Sequence, residues 1–183
     1  MSLADQLTVA RAASVPFVIL LYSWHFPNHA YWATAIFIAA MATDQFDGWL
    51  ARRQGHTSEL GSLLDPMADK LLTLSTLVVL LGEGVFKGWM VALIIVRELL
   101  VAGLRLAALE RGVVIHARDL AKVKAWAQAV AAAIGGFALA GAWGTGPAWW
   151  ALLVALVLTW VSGLDYARAA PALLRGRALP ADG

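Results

Sequence analysis

Asp44-Gln45-Phe46-Asp47-Gly48-Trp49-Leu50-Ala51-Arg52 is followed, after eight intervening residues, by Gly61, and then by Asp65 and Asp69. As a pattern this is D-x2-D-G-x2-A-R-x8-G-x3-D-x3-D. Both acidic pairs border long apolar stretches, where a carboxylate is costly and therefore usually has a task. On helices, Asp44 and Asp47 lie three apart and Asp65 and Asp69 four apart, so each pair shares one face. Two such faces turned toward each other gather up to four carboxylates, which repel one another unless divalent cations compensate them. The expectation is a pair of helices carrying a two-metal site at the edge of a membrane.

Composition supports that setting. The 183-residue chain is 61% hydrophobic and 14% charged, with a mean hydropathy of +0.71. A soluble domain carries roughly 25% charged residues. The length accommodates about six spans of roughly 20 residues and little else. The reading is an all-α integral membrane protein, one domain over 1–183, with six transmembrane helices. The spans are expected at about 7–26, 31–53, 60–81, 87–110, 119–142 and 148–168. A short polar start is a candidate for an amphipathic helix lying on the membrane surface. The first apolar run continues past signal-peptide length without a small-residue cleavage site. The absence of cysteine excludes disulfides, thiolate catalysis and cysteine-ligated zinc. A net charge of +2 is too small to point to nucleic acid.

The distribution of cations gives an orientation. Arg52, Arg53, Arg111, Arg118, Lys122, Lys124, Arg168, Arg175 and Arg177 fall on the motif side, and only Lys87 on the other. By the positive-inside rule the motif and both termini face the cytoplasm. Trp24, Tyr31, Trp32, Trp89, Trp143, Trp149 and Trp150 gather on the far side, as an interfacial aromatic belt does. The motif then lies where a lipid headgroup and a water-soluble substrate can both reach it.

The eight fixed positions match the signature of the CDP-alcohol phosphatidyltransferase family, which the chain resembles. Further likeness to the branch that uses glycerol 3-phosphate lies in Leu7-Thr8-Val9-Ala10-Arg11 and Asp65-Pro66-Met67-Ala68-Asp69-Lys70. It continues in Arg97-Glu98-Leu99-Leu100, Leu104-Arg105 and Lys122-Val123-Lys124-Ala125-Trp126-Ala127-Gln128. Beyond Gln128 the likeness is mainly hydropathy. The resemblance implies a six-helix enzyme of the bacterial cytoplasmic membrane, often homodimeric, that uses two divalent cations, Mg²⁺ or Mn²⁺. It implies transfer of a phosphatidyl group from CDP-diacylglycerol to glycerol 3-phosphate, with release of CMP.

Residue roles follow on that basis. Asp44, Asp47 and Asp65 suit metal ligation, because hard cations take carboxylate oxygens and recruit phosphates as further ligands. The resemblance assigns Asp69 to the general base, with metal contact as well. For the CDP donor, Asp44, Gly48, Ala51 and Arg52 form the candidate set. Gly48 lets a nucleotide approach the backbone, Ala51 keeps the face slim, and the Arg52 guanidinium suits a diphosphate. Gly61 permits close helix packing. For the acceptor phosphate the candidates are Arg105, Lys122 and Lys124, with Arg97 as a further member and Glu98 pairing with a neighbouring cation.

Plainer readings stand beside these. Arg52 can be an interfacial charge, Arg97 and Glu98 an intramembrane structural pair, and Lys122 and Lys124 anchors for anionic lipid. His25, His29, His56 and His116 fall in loops without ligand spacing and receive no role. Ala4-Asp5 departs from the Pro-Asn found in many relatives, so the placement of the amino terminus is less constrained. Within the same chemistry, inositol phosphate, phosphatidylglycerol or serine are alternative acceptors. A divalent-cation transporter is a different class, but it expects carboxylates spread through membrane depth. Here they crowd at one interface beside an arginine.

Overall fold

In the computed structural model the apolar stretches fold as α-helices, six among the described residues. They are α1 (Leu3–Ser23), α2 (His29–Gln54), α3 (Glu59–Gly82), α4 (Gly88–Glu110), α5 (Asp119–Leu139) and α6 (Thr145–Leu174). The structure describes residues 3–54, 59–110 and 119–174, and the side chains of 13–43, 70–107 and 122–164. No strand occurs among the described residues. Each expected span has its helix, with ends displaced by a few residues. The largest displacement at the near end is in α1, which starts at Leu3. No Gly or Pro separates Leu3 from Leu7, so the polar start continues the first helix instead of forming an element of its own.

Three tight turns join α1 to α2, α3 to α4, and α5 to α6. Two close with the same backbone motif. At the end of α3 the Gly84 N–H donates to the Leu81 carbonyl and the Val85 N–H to the Leu80 carbonyl, both at 3.0 Å. At the end of α5 the Gly141 N–H donates to Ala138 at 3.1 Å and the Ala142 N–H to Phe137 at 3.0 Å. This pairing needs a left-handed residue just past the helix. Gly84 (φ 77°) and Gly141 (φ 82°) supply it. In the first turn Asn28 takes φ 62°, a conformation Asn tolerates better than most side chains. His25 and Glu83 approach to 3.7 Å, so the first two turns lie at the same end of the bundle. Phe137 stacks near Tyr31 and Trp143, which brings the third turn to that end. The motif-bearing ends of α2 and α3 are therefore at the opposite end.

The most extensive helix contact is α5 against α6, followed by α1 against α3 and α2. Close approach of α5 depends on glycine. A Cβ on Gly135 would lie 2.6 Å from the Phe86 ring, and one on Gly136 would collide with the Thr34 and Tyr22 hydroxyls. Those hydroxyls bond each other at 2.9 Å, and Thr34 donates to the Ala30 carbonyl at 2.6 Å, so the pair is satisfied inside the core.

The distribution of polarity is inverted relative to a soluble bundle. Leu20, Trp32, Leu71, Leu99, Val130 and Val154, one on each helix, are exposed, while Arg97, Glu98, Lys124, Gln128, Thr159 and Ser162 are buried. Among the described residues one segment, Thr145–Leu164 of α6, is long and apolar enough by itself to cross a membrane. The helices α4 and α5 carry Arg97, Glu98, Arg105, Lys122 and Lys124 within their length.

Candidate active site

The helix backbones position the aspartates. Asp44 and Asp47 are on α2, and Asp65 and Asp69 on α3. Their side chains, with those of Gly48, Ala51, Arg52 and Gly61, lie outside the described residues. Register comes from a neighbouring contact, in which the Thr73 hydroxyl on α3 meets the Met41 sulfur on α2 at 3.8 Å. From that level, α2 rises toward the motif end with increasing number and α3 with decreasing number. At ~1.5 Å per residue, Asp44 and Asp69 are about 4.5 and 6 Å further on, Asp47 about 9 Å and Asp65 about 12 Å. All four positions fall in a band about 8 Å deep along the helix axes. Aspartate is a hard oxygen donor of the kind that suits Mg²⁺ or Mn²⁺, and the two helix backbones bring four such positions to one level.

Beside this band lies a buried polar network joining α3, α4, α5 and α6. Its centre is Glu98, 3% exposed. The Arg97 Nη1 donates to Glu98 Oε1 at 2.9 Å, and Lys124 Nζ donates to the same oxygen. Gln128 Nε2 is 3.4 Å from that oxygen and donates to Thr159 Oγ1 at 2.8 Å. Arg97 Nη2 donates to Ser162 Oγ, which in turn donates to the Thr159 carbonyl at 3.2 Å. Lys70 Nζ, on the residue after Asp69, stands 3.5 Å from Glu98 Oε2. Three cations thus share one carboxylate. Among the described residues this leaves an excess of positive charge in a low-dielectric setting, where it attracts anions strongly.

The expected basic residues are not all brought together. Arg97 and Lys124 meet on Glu98. Lys122 is exposed on α5. Two positions on a helix are about 200° apart, so only one of Lys122 and Lys124 can face the bundle. Arg105 is partly exposed, seven residues beyond Glu98 and about 10 Å nearer the motif end. That rise brings it to the depth of the aspartate band. Glu98 holds a neighbouring cation, as its sequence context anticipates, and holds three instead of one.

Lys70, Gln128, Thr159 and Ser162 had no assigned role in the sequence reading. Lys70 and Gln128 lie within the family-like stretches. Thr159 and Ser162 are polar interruptions of the apolar sixth helix, a signal that could have marked them. Gly163 completes the wall, since a Cβ there would lie 2.9 Å from Arg97 Nε. His29 opens α2 instead of lying in a loop, and its Nδ1 donates to the Phe26 carbonyl at 3.0 Å. It remains at the far end, remote from the network.

Comparison with known proteins gives the family. The chain is 41% identical over 172 residues to a probable phosphatidylglycerophosphate synthase of Mycobacterium tuberculosis, covering 90% of this chain and 79% of that protein. It is 37% identical over 142 residues to the CDP-diacylglycerol–glycerol-3-phosphate 3-phosphatidyltransferase of Bacillus subtilis, covering 71% and 74%. The enzyme of the same name from Pectobacterium atrosepticum is 36% identical over 176 residues, covering 90% and 92%. Residues 1–161, which contain the aspartate helices and nearly all of the buried network, match the CDP-alcohol phosphatidyltransferase family. With its paired aspartates on one level and that match across most of its length, the chain belongs to the CDP-alcohol phosphatidyltransferase family of transferases.

Proposed function

We propose that this transferase is an integral membrane enzyme that moves a phosphatidyl group from CDP-diacylglycerol to glycerol 3-phosphate, giving phosphatidylglycerophosphate and CMP. The observation that carries the reading is the cationic network around Glu98, which begins one residue after Asp69. An enzyme handling a phosphorylated acceptor beside a diphosphate donor needs both halves of that arrangement. The names of the relatives support the acceptor. The exposed apolar residues on all six helices support a bilayer around the bundle, with all six crossing it. The cation asymmetry supports a cytoplasmic active site and cytoplasmic termini in the bacterial inner membrane. The same exposed apolar faces leave room for a homodimer.

In this reading Asp44, Asp47, Asp65 and Asp69 hold two divalent cations, Mg²⁺ or Mn²⁺. Such a pair, when bound, would supply positive charge to the diphosphate and to the oxygens of an in-line displacement. Asp44, Gly48, Ala51 and Arg52 receive the CDP portion of the donor, and its acyl chains remain in the bilayer. Arg105 and Lys124 bind the acceptor phosphate, Arg97 adds its charge from behind Lys124, and the outward-facing Lys122 anchors α5 to anionic lipid. Asp69 accepts the proton of the acceptor hydroxyl as that oxygen bonds to the phosphorus attached to diacylglycerol. The phosphorus–oxygen bond to CMP breaks, and CMP carries away the electron pair.

The test is CMP release by purified protein supplied with CDP-diacylglycerol, Mg²⁺ or Mn²⁺, and one acceptor at a time. Release with glycerol 3-phosphate, abolished by EDTA and restored by Mg²⁺ or Mn²⁺, is expected. Release only with inositol phosphate, serine or phosphatidylglycerol would retain the chemistry and overturn the acceptor. No release with any acceptor from folded protein would overturn the donor assignment.

A further inference from the structure

The three cations on Glu98 are not held alike. Arg97 is fixed from several sides: Nη1 on Glu98, Nη2 on Ser162, and Nε against the bare Cα of Gly163. Its side chain is 3% exposed, and that of Lys124, bonded to the same Glu98 oxygen, is 9% exposed. Lys70 differs on both counts. Its side chain is 36% exposed, and its ammonium lies 3.5 Å from Glu98 Oε2, an ion pair too long for a good hydrogen bond. Oε2 is buried and, among the described residues, has no hydrogen-bond partner. One carboxylate thus sits between two ammonium groups from different helices, and one of these groups is held at longer range and is the more exposed.

We propose that Lys70 is a binding residue for the acceptor phosphate, held in readiness by Glu98, and that Arg97 is a positioning residue. The inference rests on the functional reading above. A phosphate dianion offers an ammonium more charge and more acceptor oxygens than Oε2 does. It draws Lys70 off Glu98, while Arg97 and Lys124 keep Glu98 compensated. Lys70 follows Asp69 directly along α3, so this contact would bring the acceptor's phosphate beside the residue proposed to take its hydroxyl proton. Lys70 faces α4, which also carries Arg105, and this separates its role from that of the donor-binding set on α2.

The experiment compares wild type, Lys70→Met and Lys70→Arg as purified full-length proteins. KM is measured for glycerol 3-phosphate at saturating CDP-diacylglycerol and for CDP-diacylglycerol at saturating glycerol 3-phosphate. Loss of one charge-assisted contact predicts a rise of about tenfold to a hundredfold in the first KM for Lys70→Met. The KM for CDP-diacylglycerol stays within about twofold, and Lys70→Arg recovers most of the loss. An unchanged KM for glycerol 3-phosphate, or an equal rise in both, would overturn the proposal. Thermal stabilisation by inorganic phosphate is measured in parallel. If wild type releases no CMP with glycerol 3-phosphate, the functional reading fails by itself. In that case, phosphate stabilisation of wild type that is lost in Lys70→Met still supports Lys70 as an anion ligand. Equal stabilisation of both proteins, or none in wild type, overturns the proposal.

Discussion

Glu98 shows how much one buried side chain can organise. It compensates Arg97, Lys124 and Lys70, which come from three helices, and Gln128 borders the same oxygen. Removing its charge would leave buried cations uncompensated, the expensive half of a broken ion pair. Asp69 stands at the boundary between this basic network and the carboxylate band, and the proposed chemistry makes it the general base. Asp69→Asn keeps the volume and removes the proton acceptor. Turnover is expected to fall about 10²- to 10⁴-fold, with melting behaviour and CDP-diacylglycerol binding largely retained. Unaltered CMP release from that variant would remove Asp69 from the mechanism. The paired motif was readable as residues, since carboxylates beside apolar runs stand out. Which of Lys122 and Lys124 turns inward was not readable, because helical phase relative to neighbours is set by packing.

At the scale of elements, the breaks in apolar pattern located all six helices. Their ends were harder to place, for identifiable reasons. Gly146-Pro147 reads as a breaker, yet α6 already includes both residues. Pro in a first turn has no intrahelical N–H bond to lose and brings a helix-ready φ. The closing turns are legible in their glycines, and they give a paired test. Gly84 has open space around a would-be Cβ but sits at φ 77°. Gly84→Ala should therefore cost about 1–2 kcal/mol from backbone conformation alone. Gly82, also with open space, is the last residue of α3 and has an ordinary φ. There Gly82→Ala should be neutral or stabilising by up to about 1 kcal/mol. Thermal unfolding in detergent compares the two, and equal effects would exclude the left-handed turn as the origin.

For the whole molecule, the arrangement places three tight turns at one end and the aspartate band at the other. The absence of cysteine makes the proposed orientation directly measurable. A single cysteine in Lys87→Cys should react with an impermeant maleimide on intact cells. One in His56→Cys, between the two halves of the motif, should react only after the membrane is permeabilised. The reverse pattern would invert the topology. The sequence by itself determined the helical class, the number of helices, the acidic motif and its family resemblance, because apolar periodicity and residue spacing are local along the chain. Tertiary structure alone decided that Arg97, Glu98, Lys124, Gln128, Thr159 and Ser162 form one network, that Lys70 joins it from α3, and that Gly135, Gly136 and Gly163 admit neighbouring side chains. These are contacts between residues distant in the chain, and the rotation and depth of each helix that create them are fixed only when all the helices pack together.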